Sequence, residues 1–172
     1  MRMGRRGSSS IVSGSIVLIG LLMFTAALSL SLYSFAEGSV DTLKHALDAE
    51  KMRVGTSLEL TVLDVGERNV TALVRNTGST TVFLKPGWND LIVYYSAGGQ
   101  QLSYLAAFNA TVRVTGSQTI FSSEHNFINP GEEAVVVAKL PESAPDILSG
   151  STVVVVFASH YGVSAVGEAV KS

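Results

Sequence analysis

The sequence predicts an apolar N-terminal helix followed by an all-β sandwich. Two observations carry this prediction. Residues 7–36 contain no charged side chain, whereas from Leu58 onward apolar and polar residues alternate. Alternation with a period of two is typical of a half-buried strand, and residues that favour turns recur at intervals of about 8–12 residues. The chain therefore divides into one helical part and one β part.

The first helical element, residues 11–36, has the length and composition of a membrane span. Roughly 20 helical residues cross a hydrocarbon core of about 30 Å. A cleavable secretory signal would have a shorter apolar core, of about 7–15 residues. The predicted anchor uses large apolar side chains along the whole segment: Ile11, Val17, Leu22, Phe24, Leu30 and Phe35.

The basic residues predict the orientation of this span. Arg2, Arg5 and Arg6 precede it, and no lysine or arginine follows it until Lys44. Cytoplasmic flanks carry the excess of positive charge. Residues 1–10 are therefore predicted to be a cytoplasmic basic tail, and the chain beyond the span is predicted to lie outside the cell.

Residues 37–56 continue the helix as an extracytoplasmic stalk. Val40, Leu43, Leu47 and Val54 recur at roughly helical spacing, and no proline interrupts residues 8–54. We therefore expect one continuous helix of more than 40 residues. The apolar stripe of the stalk is expected to pack on a neighbouring chain, with packing on the chain's own β domain as the alternative.

Residues 57–172 are predicted to form the sandwich, of immunoglobulin-like type. Turn signals at residues 76–79, 98–99 and 129–132 separate the strands, and no helical pattern lies between them. The apolar run 153–156 is too short to cross a membrane and is interpreted as a central buried strand. The predicted strands are 58–65, 69–75, 80–84, 90–96, 101–108, 111–115, 118–122, 134–140, 152–159 and 163–170.

Composition limits the partners of the external part. All fourteen acidic residues but only nine of the twelve basic ones lie beyond position 36, which leaves a net charge of −5 and argues against nucleic acid. The absence of cysteine excludes thiol chemistry and disulfides. Sequons at Asn69 and Asn109 are compatible with an external surface.

Motifs for catalysis are missing from the sequence. His45, His125 and His160 do not have the spacing of metal ligands, and residues 122–125 place serine, acid and histidine next to each other without forming a triad. No glycine-rich phosphate loop precedes a helix. We therefore predict a protein that is not an enzyme, with no catalytic residue, cofactor, metal or small-molecule substrate.

Aromatic residues and the last strand are the candidate interface. Trp88 and Tyr94 are first interpreted as core residues between the sheets, and a contact surface is the alternative because Trp and Tyr are enriched at protein interfaces. The last strand carries a single charge, Glu168, and is predicted to be an open pairing edge. The candidate interface residues are Trp88, Tyr95, Val163, Ala165 and Val166.

The sequence resembles the archaeal type IV pilin-like superfamily, and within it the F and G accessory proteins of the archaellum, the archaeal flagellum. The resemblance covers the whole chain. It rests on the segments VRNTGSTTV (74–82), WNDLIVY (88–94), PGE (130–132), SG (149–150) and YGVSA (161–165).

The resemblance implies a single-pass protein of the archaeal cell membrane with an immunoglobulin-like domain in the pseudoperiplasm. The implied function is that of a stator component, which ties the motor to the surface layer. The implied partners are the membrane, a surface-layer protein, and a sister accessory subunit or a second copy of the chain.

A filament subunit is the alternative implied by the same superfamily. Arg6-Gly7-Ser8 ahead of an apolar helix resembles a prepilin signal, which a prepilin peptidase would cut after Gly7 to leave Ser8 as the new N-terminus. The chain would then be an archaellin or a pilin, found in the archaellum or in a pilus.

Overall fold

The computed structural model describes residues 7–85, 87–117 and 119–172, and for residues 7–11 only the backbone. Arg2, Arg5 and Arg6 lie outside the described residues, as does Gln118, where a strand was predicted to begin. The chain divides into two compact units, Met1–Asp48 and Ala49–Ser172.

Helix α1 spans Gly7–Gly55, 49 residues without a break, as predicted. Its segment Val12–Gly55 contains a stretch long and apolar enough to cross a membrane. Hydroxyl groups in this segment bond back to the preceding turn. Thr25 Oγ1 donates to Leu22 O, and Ser29 Oγ donates to Thr25 O. The helix therefore satisfies these polar groups by itself, which is the requirement for a helix in an apolar medium.

The β part contains two four-stranded antiparallel sheets and a two-stranded ribbon. The sheets have the orders β1-β2-β8-β6 and β10-β9-β4-β5, and β3 pairs with β7. This arrangement confirms the predicted sandwich. The strands are β1 Leu58–Val65, β2 Asn69–Asn76, β3 Val82–Phe83, β4 Asp90–Ala97, β5 Gln100–Leu105, β6 Ala107–Val114, β7 Phe127–Ile128, β8 Glu132–Lys139, β9 Thr152–Ala158 and β10 Ser164–Val170.

The core lies between the two four-stranded sheets. Every second residue of the central strands is fully buried, as in Val153, Val155 and Phe157 of β9. Val74 of β2 and Val136 of β8 belong to the same hydrophobic cluster. Burial of these side chains, each worth about 1.5–3 kcal/mol, supplies most of the stability of a domain that has no disulfide.

The predicted strands 101–108 and 118–122 differ most from the observed ones. Residues 101–108 form parts of β5 and β6, because the chain crosses from one sheet to the other at Ala106. This buried residue donates its N–H to Leu91 O at 2.8 Å. Of the predicted strand 118–122, the described part forms an isolated bridge at Ile120. The short strand β7 was not predicted, since two residues carry no periodic pattern.

The last turn of α1 is tied to the turn between β2 and β3. Gly55 O accepts hydrogen bonds from Ser79 N and Thr80 N, and Ser57 O accepts from Thr77 N and Gly78 N. Backbone atoms approach closely here. A Cβ built on Gly78 would contact Gly55 O and would lie 2.5 Å from Ser57 N. Only glycine fits at position 78.

Candidate interaction surfaces

The last strand packs closely against β1 of the other sheet. Strand β10 lies at the end of its sheet, but β1 of the other sheet runs beside it. A Cβ built on Gly167 would contact the Leu60 side chain and would lie 2.8 Å from Leu60 O. β10 thus ends its sheet with β9 as its hydrogen-bonded neighbour, and its role as a pairing edge stays a prediction. The small residue at 167 allows the two sheets to meet.

Two of the candidate interface residues have their side chains in the core. Tyr95 is 1% exposed, and its hydroxyl donates to Pro145 O. Burial is the largest cause that raises the Tyr95 pKa. Ala165 of β10 is 5% exposed and lies opposite Phe157 of β9. Neither side chain lies on the surface of the sandwich. Val166 is 60% exposed, and Val163 is half-buried.

The interpretation of Trp88 and Tyr94 as core residues is wrong. Tyr94 is 40% exposed because β4 directs Leu91, Val93 and Tyr95 inward and the residues between them outward. Trp88 is 48% exposed and lies in the loop before β4.

The outward side of β10-β9-β4-β5 combines apolar side chains with two acidic ones. We call it the acidic face. Its central row crosses all four strands, because Val156 is paired with both Val166 and Ile92, and Ile92 with Leu105. The outward residues of these four strands, all of which the structure describes, include Asp90 and Glu168 but no basic residue. A groove of about 560 Å³ lies on this face beside Tyr94, Val154 and Leu148.

The outward side of the other sheet has a groove with the opposite charge, which we call the basic groove. It encloses about 440 Å³ and is lined by Arg68, Asn69, Ala107, Phe108, Asn109, Val137 and Lys139. Arg68 donates to Pro141 O at 2.7 Å and lies 3.9 Å from Asp146 Oδ1, which holds it beside the groove. Lys139 forms no ion pair with any described residue.

Aromatic rings cluster at one end of the sandwich. Phe83 packs edge-on against Trp88 and Phe127, and the His160 ring lies 5.1 Å from that of Trp88. Lys85 Nζ lies 4.5 Å from the Trp88 ring centroid, a cation–π contact. Burial first, and the Lys85 charge second, lower the His160 pKa. This cluster holds the exposed Trp88 in a defined position.

His125 and Glu132 form a structural pair. His125 Nε2 lies 3.0 Å from Glu132 Oε2, and Asn129 N donates to the same oxygen at 2.8 Å. Burial alone would raise the Glu132 pKa, but the hydrogen bonds from Asn129 and His125 outweigh it and lower that pKa. Within the described residues, no group of three or more His, Cys, Asp or Glu side chains is arranged to hold a metal ion.

The predicted anchor residues lie on an exposed helix. The side chains of Val17, Leu22, Phe24, Leu30 and Phe35 are all exposed, and that of Ile11 lies outside the described side chains. Gly7 and Ser8, the predicted processing site, are the first two residues of α1. Their assignment as anchor and processing site stays a prediction.

Comparisons with known proteins give no match to a protein-family model and no match to a curated protein. Among solved structures, the chain is similar to the archaeal flagellum of Methanospirillum hungatei strain JF1. The two share 14% identity over 94% of this chain and 93% of that one, with a TM-score of 0.65.

Two structures from Sulfolobus acidocaldarius are also similar, over about two thirds of this chain. The archaellum periplasmic stator protein FlaG has 20% identity over 66% of this chain and all of that one, with a TM-score of 0.41. The stator protein complex FlaF and FlaG has 18% identity over 64% of this chain and 88% of that one, with a TM-score of 0.40. Along almost its whole length, the chain thus has the fold of the M. hungatei flagellum protein, an apolar helix followed by a β-sandwich.

Proposed function

We propose that the chain is a non-enzymatic structural subunit of an archaeal filament of the archaellum type. The observation that carries the proposal is the fold likeness to the M. hungatei flagellum protein, which extends over both helix and sandwich. The helix would form the fibre core, and the sandwich would form the outer surface.

The character of the helix supports this proposal. Within unit Met1–Asp48, every described side chain from Val12 onward is exposed, and the apolar residues lie on all sides of the helix. Such a helix needs lipid or other helices around it. Gly38, Thr42 and Ala46 recur at intervals of four residues, and a stripe of small residues allows helices to approach closely. Lipid would surround the helix before assembly, and neighbouring helices would surround it afterwards.

The stator hypothesis has weaker support. It predicts an uncut anchor that stays in the cell membrane, with a surface-layer protein and a sister accessory subunit as partners. The likeness to the stator structures is limited to about two thirds of the chain at TM-scores of 0.40 and 0.41. We therefore prefer the filament subunit, with a membrane-bound precursor and an extracytoplasmic sandwich.

The mass and N-terminal sequence of the protein distinguish the two functions. The protein is isolated separately from membranes and from filaments sheared off the cells. A filament subunit is expected in the sheared fraction with Ser8 as its first residue. An uncut chain that starts at Met1 and occurs in membranes alone would contradict the proposal and support the stator hypothesis.

A substitution at the processing site tests the same proposal in cells. Gly7→Val should keep the chain uncut and in the membrane fraction, because a β-branched side chain replaces the hydrogen at the proposed cleavage position. Gly4→Val, the same change three residues upstream, is the control and should leave both cleavage and filaments intact.

A further inference from the structure

We infer that the acidic face of one copy docks on the basic groove of the next copy, so that the sandwiches associate head to tail. This inference rests on the proposed filament function. It assigns to that filament a specific contact between its outer domains.

The acidic face has the composition of a surface that becomes buried. Strand β9 is apolar on both sides, with Val153 and Val155 in the core and Val154 and Val156 directed outward. Antiparallel strands with one solvated side normally alternate apolar and polar residues, and strands apolar on both sides are typical of sheets covered on both faces. Within the unit Ala49–Ser172, this side presents exposed apolar residues, since Val166 is 60% exposed and Leu105 is 63% exposed.

Charge decides between the candidate partners of this face. Asp90 and Glu168 form no ion pair with any described residue. If two acidic faces met, four carboxylates would be brought together without a compensating cation, and like charges across an interface are strongly unfavourable. The basic groove instead offers Lys139 and Arg68 beside the exposed apolar side chain of Val137. The chain therefore carries both halves of a complementary contact.

The placement of the two surfaces determines the kind of assembly. They lie on the outer sides of the two different sheets, so a copy that uses its acidic face still has its basic groove free. A contact between two different patches of the same protein is heterologous, and it produces an open helical array unless the rotation closes a ring. This is the contact that a filament of identical subunits requires.

Cysteine cross-linking of the full chain in cells tests the contact directly, because the natural sequence contains no cysteine. Val166→Cys places a thiol on the acidic face, and Val137→Cys places one in the basic groove. With a short bis-maleimide, filaments of the double variant should give a ladder of covalent trimers and larger species. Filaments of either single variant should give monomers.

The control pair combines Val166→Cys with Glu124→Cys, an exposed loop position outside both surfaces, and should give no ladder. Dimers from Val166→Cys alone would overturn the inference, because acidic faces would then meet each other. The inference would also be overturned if cross-linked filaments of the double variant gave monomers alone. A wild-type chain missing from sheared filaments would instead overturn the proposed function and, with it, this inference.

Charge reversal provides a second test. Glu168→Lys and Lys139→Glu should each lower the amount of protein in sheared filaments roughly tenfold, because each places like charges across the contact. The combination of both changes in one chain should restore most of the wild-type amount. Glu124→Lys is the control for a change of net charge. Single variants that assemble like the wild type would overturn the inference.

Discussion

The helix and the sandwich bury their apolar residues by different means. In the sandwich, every second side chain of β9 is fully buried against the facing sheet, whereas in α1 all described side chains between Val12 and Val54 are exposed. The helix satisfies its backbone hydrogen bonds locally and needs partners only for its apolar surface. The sandwich depends on pairings between residues far apart in sequence, as between Leu60 and Val74. The sandwich can therefore bury its own core, but the helix depends on lipid or on other chains.

The largest expected difference comes from the same substitution in the two regions. Phe157→Ala removes a fully buried ring and should lower the free energy of unfolding of the sandwich by about 3–5 kcal/mol. Phe24→Ala, on the exposed helix, should change it by less than about 0.5 kcal/mol. Denaturant unfolding of the full chain in detergent, followed by Trp88 fluorescence, measures both. Equal losses would show that the helix contributes to the folded core.

The last turn of α1 combines both kinds of contact. Gly55 belongs to the helix, and its carbonyl oxygen accepts hydrogen bonds from a turn of the sandwich. Gly78→Ala should destabilise the sandwich by about 2–3 kcal/mol, since the new Cβ would overlap backbone atoms of Gly55 and Ser57. Gly98→Ala is the control. Its φ of 59° is unfavourable for alanine, but the space around it is open, and we expect a loss of about 1 kcal/mol. Thermal unfolding distinguishes the two variants, and a smaller loss at Gly78 would contradict the close approach.

Asn76 supports the same turn through its side chain, and its loss should have a somewhat smaller effect. Its Nδ2 donates to Thr80 O and Ile128 O, and its Oδ1 accepts from Gly78 N. Asn76→Ala removes the donor to Thr80 O and to the buried Ile128 O and should cost about 2 kcal/mol. Asn126→Ala, at an exposed position, should be near neutral. The same unfolding measurement tests whether the two variants differ.

The smallest expected effect is the pH dependence that Glu132 gives to the sandwich. Its pKa is lowered in the folded state, so the stabilisation is complete above the ordinary value of 4.5 and is lost as the pH falls through the folded pKa. Glu132→Gln should cost about 1 kcal/mol at neutral pH and should weaken the fall in melting temperature on acidification. Glu124→Gln, at an exposed site, should retain the wild-type pH profile. An unchanged profile for Glu132→Gln would assign the acid sensitivity to other groups.

Much of the fold follows from the sequence pattern, but less of the candidate site does. Alternation in β4 separates Tyr94 from Tyr95, yet it does not say which of the two points inward. The pairing with β9 places Tyr95 in the core, so the interface prediction for Tyr95 and the core prediction for Tyr94 failed together. The continuous valines of β9 predict a central strand, but they do not indicate what covers its outer side.

The sequence by itself determines the elements whose forces are local. A long run without proline produces the continuous helix, because its hydrogen bonds join residues four apart. Alternation and turn residues likewise mark most strands. Only the tertiary structure decides which strands are neighbours. The crossing at Ala106 and the close approach of β1 to β10 at Gly167 both depend on register between distant segments. A shift of one residue in register would reverse every side chain from one face to the other, and packing of the whole core excludes that shift.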